Sequence, residues 1–373
     1  MAEPLKNSFG PDIAARIGKM ITRVYPDFDQ QRFLQAALDG YDELELTPRA
    51  RQIAAALGDT LPADRRRAID ILIDSLGPES GEAELTGMES FLYFPHVFFI
   101  ARYGLDCFDI SMRAQNELTR RFTAEFSIRA FIEQHPEKTM AQLRTWAGDP
   151  NVHVRRLVSE GSRPRLPWAP RLRRFQQDPA PVIELLELLK DDPEEYVRRS
   201  VANSLNDISK DHPEAVVHIT RRWSKGAGQD RKRLIRHGLR TLIKQGHPEA
   251  LAVLGYGVDS PAVVSHVSCA PSRVRIGDRI RIEARIDNPS TAEAGALVDF
   301  RVHFVKAKGS TSPRVFKGAE LTIPAGESAT VRKTVSVAQH STRRHYPGIH
   351  TVDVMLNGNH HAGGRFEITG EAS

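Results

Sequence analysis

The sequence predicts a chain of two parts, an α-solenoid of helical repeats followed by an immunoglobulin-like β-sandwich. Two observations carry this. A short phrase returns three times, as Arg120-Arg121-Phe122-Thr123-Ala124-Glu125-Phe126-Ser127, Arg155-Arg156-Leu157-Val158-Ser159-Glu160-Gly161-Ser162 and Arg198-Arg199-Ser200-Val201-Ala202-Asn203-Ser204-Leu205. Its offsets of 35 and 43 residues are near those of helical repeat units. Near Gly255 the hydrophobic pattern then changes from recurrence at three and four to alternation at two.

The composition sets the outer bounds. A chain of 373 residues can hold two or three domains with full cores. Its 27% charged and 40% hydrophobic residues are ordinary for a globular protein. The net charge of +5 permits nucleic acid without requiring it, and arginines gather between about residues 155 and 240. Two distant cysteines, Cys107 and Cys269, argue against a disulfide framework and a cysteine zinc site. The N-terminal stretch is not of signal-peptide type and no apolar run approaches about 20 residues, so a cytoplasmic protein without membrane contact is expected.

Residues 1 to about 257 read as helices. Leu118, Phe122, Phe126 and Ala130 mark one apolar stripe, and Ile183, Leu186 and Leu189 another. Breaks at Gly148-Asp149-Pro150, Asp191-Asp192-Pro193 and Lys225-Gly226-Ala227-Gly228 divide the repeats. Asp before Pro is a good helix start, because Asp caps free N–H groups and Pro suits the first turn. First helices are expected near 138–147, 181–190 and 213–224, with a last unit over 230–245 and a short helix to about Leu254. From Ala262, alternating runs at 279–286, 298–305, 329–337 and 350–356 are separated by Asp287-Asn288-Pro289, Pro324-Ala325-Gly326 and Asn357-Gly358-Asn359. About seven short strands in such a length suggest an immunoglobulin-like sandwich or another small β-sandwich. The expected domains are 1–257 and 262–373.

Set in register, the repeats place Glu125, Glu160, Asn203 and Arg240 in one column, with Arg129, Asp207 and Lys244 one helical turn further on. In a stack of helix pairs the second helices line the concave surface. The column is thus a candidate ligand groove, and the basic pairs Arg155/Arg156 and Arg198/Arg199 at its edge suit a phosphate backbone. Each residue taken singly has a plainer reading, as a solvated ion pair or a tie between neighbouring helices. The column as a whole favours function, since carboxylates in a cationic groove have a reason only where positive charge must be stabilised.

Directly after Glu160, the segment 162–174 holds Pro164, Pro167 and Pro170 together with Arg163, Arg165 and Trp168. It reads either as a rigid loop that meets a nucleic-acid strand, Trp168 packing near a base, or as a linker docked through Leu166 and Trp168. The aromatic cluster Phe91, Tyr93, Phe94, Phe98 and Phe99 reads as core. His360-His361 lacks a spaced partner, and no phosphate-loop, dinucleotide, hydrolase-elbow or zinc-protease motif occurs. No metal or cofactor is expected.

The three motifs in order, 125–129, 155–168 and 197–210, resemble the DNA alkylation repair glycosylases built of HEAT-like repeats. The helix-then-sandwich order is similar to their AlkC branch. The resemblance implies a monofunctional glycosylase that hydrolyses the N-glycosidic bond of cationic N3-alkylated bases, such as 3-methyladenine or 3-methylcytosine, in duplex DNA. Glu125, Glu160 and Asp207 would stabilise an oxocarbenium-like state and position water, Glu160 and Asp207 bracketing the nucleotide. Arg155, Arg156, Arg163, Arg165, Trp168, Arg198, Arg199, Asn203, Arg240 and Lys244 would contact DNA. Double-stranded DNA is the implied partner, met by a monomer at the nucleoid. The basic sandwich, with residues such as Arg279, Arg301, Arg314 and Arg343, is expected to grip the duplex from the other side. The rival reading is a non-catalytic helical-repeat module that binds nucleic acid.

Overall fold

A computed structural model describes residues 5–79, 89–257, 260–339 and 344–370; Arg343 lies outside them. The chain packs as two compact units, one of residues 1–212 and 227–238, the other of 213–226 and 239–373.

The first unit is all helical among the described residues. Asp12–Val24, Gln30–Leu38, Leu46–Thr60, Arg65–Asp74, Phe94–Tyr103 and Phe108–Thr119 precede the repeats. The repeats themselves pair Ser127–Gln134 with Pro136–Trp146, then Val152–Gly161, Ala180–Leu189, Glu195–Ile208 and Gln229–Gly238. Their apolar faces are sealed: Ile128, Phe131, Leu143, Val154, Leu157, Leu185, Val201 and Leu205 are fully buried. The Asp-Pro pairs are not the helix starts expected of them: Pro150 and Pro193 lie before the helices, and Glu195–Ile208 begins without a side-chain cap. Asn151, after Asp149-Pro150, accepts from the amides of His153 and Val154, while Asp149 accepts from Asn151.

Two expected helices are broken. The stripe through Leu118, Phe122 and Phe126 is not one helix, because the chain leaves the helical path between Thr119 and Ser127. The Thr119 hydroxyl accepts from the amide of Ala124 and the Thr123 hydroxyl from that of Glu125, giving these donors partners outside a helix. Glu125 therefore sits on a turn. The unit expected over 230–245 is interrupted at Leu239, between Gln229–Gly238 and Arg240–Gln245.

In the second unit, eight described strands form two sheets. β1 (Val263–Ala270), β3 (Arg279–Asp287) and β6 (Ser328–Ser336) make one, in the order β1-β3-β6. The other runs β2-β8-β7-β4-β5, from β2 (Arg273–Arg275), β8 (Asn359–Thr369), β7 (Gly348–Leu356), β4 (Ala294–Val305) and β5 (Thr311–Ile323). Alternate residues of both sheets, including Ile280, Ile282, Phe300, Val302, Val354 and Phe366, fill the space between them. Pro313 is tolerated because β5 is an edge strand. Asn357 and Gly358, both at positive φ, close the β7–β8 hairpin. Gly358 lies against Gly246, which ends the helix Arg240–Gln245 at φ +75°; a Cβ on Gly246 would come within 2.9 Å of the Gly358 carbonyl oxygen.

Candidate active site

The repeats, the break and the proline-rich loop meet at one pocket of the first unit, with a volume of about 330 Å³. Phe91, Phe94, Phe122 and Phe126 form an aromatic wall, their rings in mutual contact at 5.1–5.7 Å. Glu125, Glu160, Arg156 and Tyr196 supply the polar side, and Leu166, Pro167 and Trp168 the rim.

Each carboxylate has a built partner. Glu125 holds Arg156 at 2.6 Å. Glu160, buried on its helix, takes Arg163 at 2.5 Å and Arg156 at 3.6 Å. Its second oxygen accepts from the Ser200 hydroxyl at 2.7 Å, and Ser159 donates to Ser200 at the same distance. Asp207, also buried, receives the Nε of Arg163 at 2.8 Å and Lys210 at 3.1 Å. Burial alone would push the Glu160 carboxyl up. Arg156 and Arg163, with the Ser200 and Arg163 hydrogen bonds, more than offset it, so Glu160 is held below its ordinary value and stays ionised.

The rim loop is held from beneath. Arg129 is buried and donates to the carbonyls of Gly161, Arg163 and Pro170, and burial draws its guanidinium down to about 10. Arg165 grips Asp211 through two nitrogens. Leu166 is buried, whereas Trp168 is 67% exposed at φ +63°. Of Leu166 and Trp168, the two residues expected to dock the loop, only Leu166 does so. A bulky residue in the left-handed region costs on the order of 1–3 kcal/mol, and the surroundings must impose it.

The basic rows divide by task. Arg155 pairs with Asp192 and donates to the carbonyls of Asp149 and Pro150. Arg198 repeats this with Asp230 and the carbonyls of Asp192 and Pro193. The first arginine of each pair is a strut between repeats, and the second, Arg156 or Arg199, stands over the Tyr196 ring at 5.3 or 5.8 Å. Arg163 is likewise an internal tie, its side chain 9% exposed between Glu160 and Asp207. Of the expected carboxylates, Glu125 and Glu160 face the pocket, and Asp207 joins them through Arg163. Asn203 is half-buried on its helix; Arg240 and Lys244 are exposed on Arg240–Gln245, in the other unit.

Sequence reasoning missed Tyr196, Phe122, Phe126 and Ser200, and assigned Phe91 and Phe94 to core alone. The repeat offset of 43 that relates Arg155 to Arg198 also relates His153 to Tyr196, whose rings touch at 5.8 Å. That offset was the signal for Tyr196.

Fold and site together define a helical-repeat protein with a carboxylate-lined aromatic pocket and a C-terminal immunoglobulin-like sandwich. A family model described as "DNA alkylation repair enzyme" matches residues 114–231. A second, "Uncharacterised protein YhaZ, C-terminal Ig-like domain", matches 263–370. The "Uncharacterized protein YhaZ" of Bacillus subtilis (strain 168) is 36% identical over 355 residues, 95% of this chain and 96% of that one. The alkylpurine DNA glycosylase AlkC of Pseudomonas fluorescens, solved bound to DNA containing an abasic site analog, is 34% identical. It superposes with a TM-score of 0.85 over 99% of this chain and all of its own. The chain belongs to the DNA alkylation repair enzyme family, in the group with the YhaZ-type C-terminal domain. No described helix is long and apolar enough to cross a membrane.

Proposed function

We propose that the protein is a monofunctional DNA glycosylase for cationic N3-alkylated bases, 3-methyladenine or 3-methylcytosine, in duplex DNA. The carrying observation is the juxtaposition of Glu125 and Glu160, 31 and 40 residues from partners Arg156 and Ser200, at one aromatic-walled pocket. Kinship with a DNA-bound AlkC of P. fluorescens supports it.

The chemistry follows from charge. An N3-alkylated base already carries a positive charge, so the electron pair of the C1′–N bond returns to the base, which leaves neutral without a general acid. Positive charge moves to the sugar as an oxocarbenium-like state. Glu125 and Glu160 face that charge, and Asp207, tied to Glu160 through Arg163, completes the set. Water adds to C1′, its proton passes to a carboxylate, and an abasic sugar remains. Trp168, Arg156 and Arg199 are assigned to the DNA strand at the rim. Exposed arginines of the sandwich such as Arg279 and Arg281 are available to phosphates. The protein is assigned to the cytoplasm and nucleoid and acts as a monomer.

The test is chromatography of bases released from methylated duplex DNA by the wild type, Glu125→Gln, Glu160→Gln and Asp207→Asn. Release by the wild type, cut about 10²–10³-fold in Glu160→Gln with DNA binding retained, is expected. Folded wild type that binds DNA yet releases no base would instead support a non-catalytic helical-repeat module, in which the carboxylates only tie repeats together.

A further inference from the structure

We propose that the helical unit carries a second seat for DNA, a backbone-phosphate site formed by Arg199, Arg233 and His237. It is built on the plan of the carboxylate pocket with the charge reversed. This rests on the reading that the chain acts on duplex DNA.

The repeats relate the two sites. Gly161 and Gly238 stand 77 residues apart, and each presses on the repeat before it. A Cβ on Gly161 would meet Ile128 and Glu125; one on Gly238 would meet Leu205 and Ala202, which lie the same 77 residues further on. That offset carries Phe122, Glu125, Arg156 and Glu160, which line the pocket, onto Arg199, Ala202, Arg233 and His237. Those four line a smaller hollow of about 70 Å³ between the helices Glu195–Ile208 and Gln229–Gly238. His237, and not Arg240, therefore holds the place of Glu160 in this repeat.

Between the two sites the charge changes sign. In the pocket, two carboxylates face one arginine. In the hollow both of those carboxylate positions are lost, to Ala202 and His237, and an aromatic position has become Arg199. Glu195 and Asp230 also line it, in the first turns of their helices, and Asp230 is met by Arg198 at 3.2 Å and by Arg233 at 3.5 Å. Three arginines and a histidine thus face two carboxylates. The Arg233 side chain is 81% exposed, so its pair with Asp230 is weak and readily exchanged for a phosphate. A phosphate accepts two parallel N–H groups from a guanidinium, and an imidazole donates an N–H whether charged or neutral. Such a contact holds the duplex without reading its bases. The two hollows lie two repeats apart, about 16–20 Å at ordinary helix spacing. Along a duplex that is roughly five or six nucleotides. The seat therefore sets the register of the damaged nucleotide against Glu125 and Glu160.

The test uses the full chain and a duplex with an abasic-site analog, in which the flanking phosphates of both strands are replaced one at a time by neutral methylphosphonate. In the wild type, one or two replacements roughly five or six nucleotides from the analog should weaken binding about tenfold. In Arg233→Ala the same replacements should cost less than about twofold, because the contact is already gone, while replacements elsewhere keep their full cost. The slope of binding against salt should also fall by about one in the variant. Arg199→Gln should silence the same positions. Equal costs at every position in wild type and variants overturn the proposal, as does wild-type affinity and slope in Arg233→Ala. Wild type that binds no duplex overturns the seat together with the DNA reading. Wild type that shows the seat yet releases no base from methylated DNA supports the seat and sinks the glycosylase reading alone.

Discussion

Among single residues, His96 makes a demand that the chemistry of the pocket does not. It is 1% exposed, and neither ring nitrogen has a hydrogen-bonding partner among the described residues. Burial lowers its pKa from 6.5 to about 4. The unfolded chain therefore takes up a proton near 6.5 that the folded chain refuses until about pH 4. Stability is full above pH 6.5 and falls as the pH drops through that window, by about 3 kcal/mol from this residue. Urea unfolding at pH 7.5 and 4.5 should show the loss, and His96→Phe should remove most of it; equal slopes in both proteins would refute the assignment. Glu160 also favours the folded state at neutral pH, because its native carboxyl is held down by its arginines and Ser200, and its contribution fades as acid protonates it. Ser200→Ala, which removes one of those supports, should move the acid limb of base release upward in pH.

The elements that build the pocket are the segment Ser90–Phe94 at the head of Phe94–Tyr103, the turn Arg120–Phe126, the helices Val152–Gly161 and Glu195–Ile208, and the loop after Glu160. Arg129 is the fastening of that loop. Arg129→Met keeps the stem but leaves the carbonyls of Gly161, Arg163 and Pro170 without their donor, which should cost about 2–4 kcal/mol and open residues 162–172 to protease. An unchanged melting temperature would show that the loop holds itself. Trp168→Gly should have the opposite balance: relief of the left-handed strain raises stability by up to about 1 kcal/mol while base release falls. Much of this region was legible in the sequence. The repeated phrase placed Glu160 and Asn203 on equivalent helices, because helical spacing repeats wherever the core does. Glu125 was found for an incomplete reason, since its turn is set by the hydroxyls of Thr119 and Thr123, whose effect periodicity does not register. The roles of the arginines were harder still. Arg155 and Arg156 are neighbours in sequence, yet one reaches Asp192 and the other Glu125, and only the packing of distant repeats separates those fates.

For the molecule as a whole, the change of sequence pattern and the compact units do not coincide. Hydrophobic alternation begins after Gly255, whereas the unit that holds the sandwich also takes in residues 213–226 and 239–254. The helices over 240–253 gain burial from the β7–β8 hairpin: Leu251 is fully buried and Met355 2% exposed, with Gly246 and Gly358 close against each other between them. A Cβ on Gly358 would lie 2.7 Å from the Gly246 carbonyl oxygen and would also be strained at φ +83°. Gly358→Ala should therefore cost about 2–4 kcal/mol, beyond the roughly 1 kcal/mol of a left-handed alanine alone. A chain cut after residue 257 should lose amide-exchange protection over 240–253, the helices there having lost Met355 and Gly358. Full protection in that truncated chain would mean that the sandwich is not needed to fold them.

The chain has three tryptophans, and two of them, Trp146 and Trp223, are 6% and 2% exposed. Trp168 is consequently the one indole that a soluble quencher can reach, and it stands on the rim of the pocket. Iodide should dim a single class of emitter in the free protein. A strand laid across the rim should shield it, so that occupancy of the site can be followed by the protein's own light, without a label.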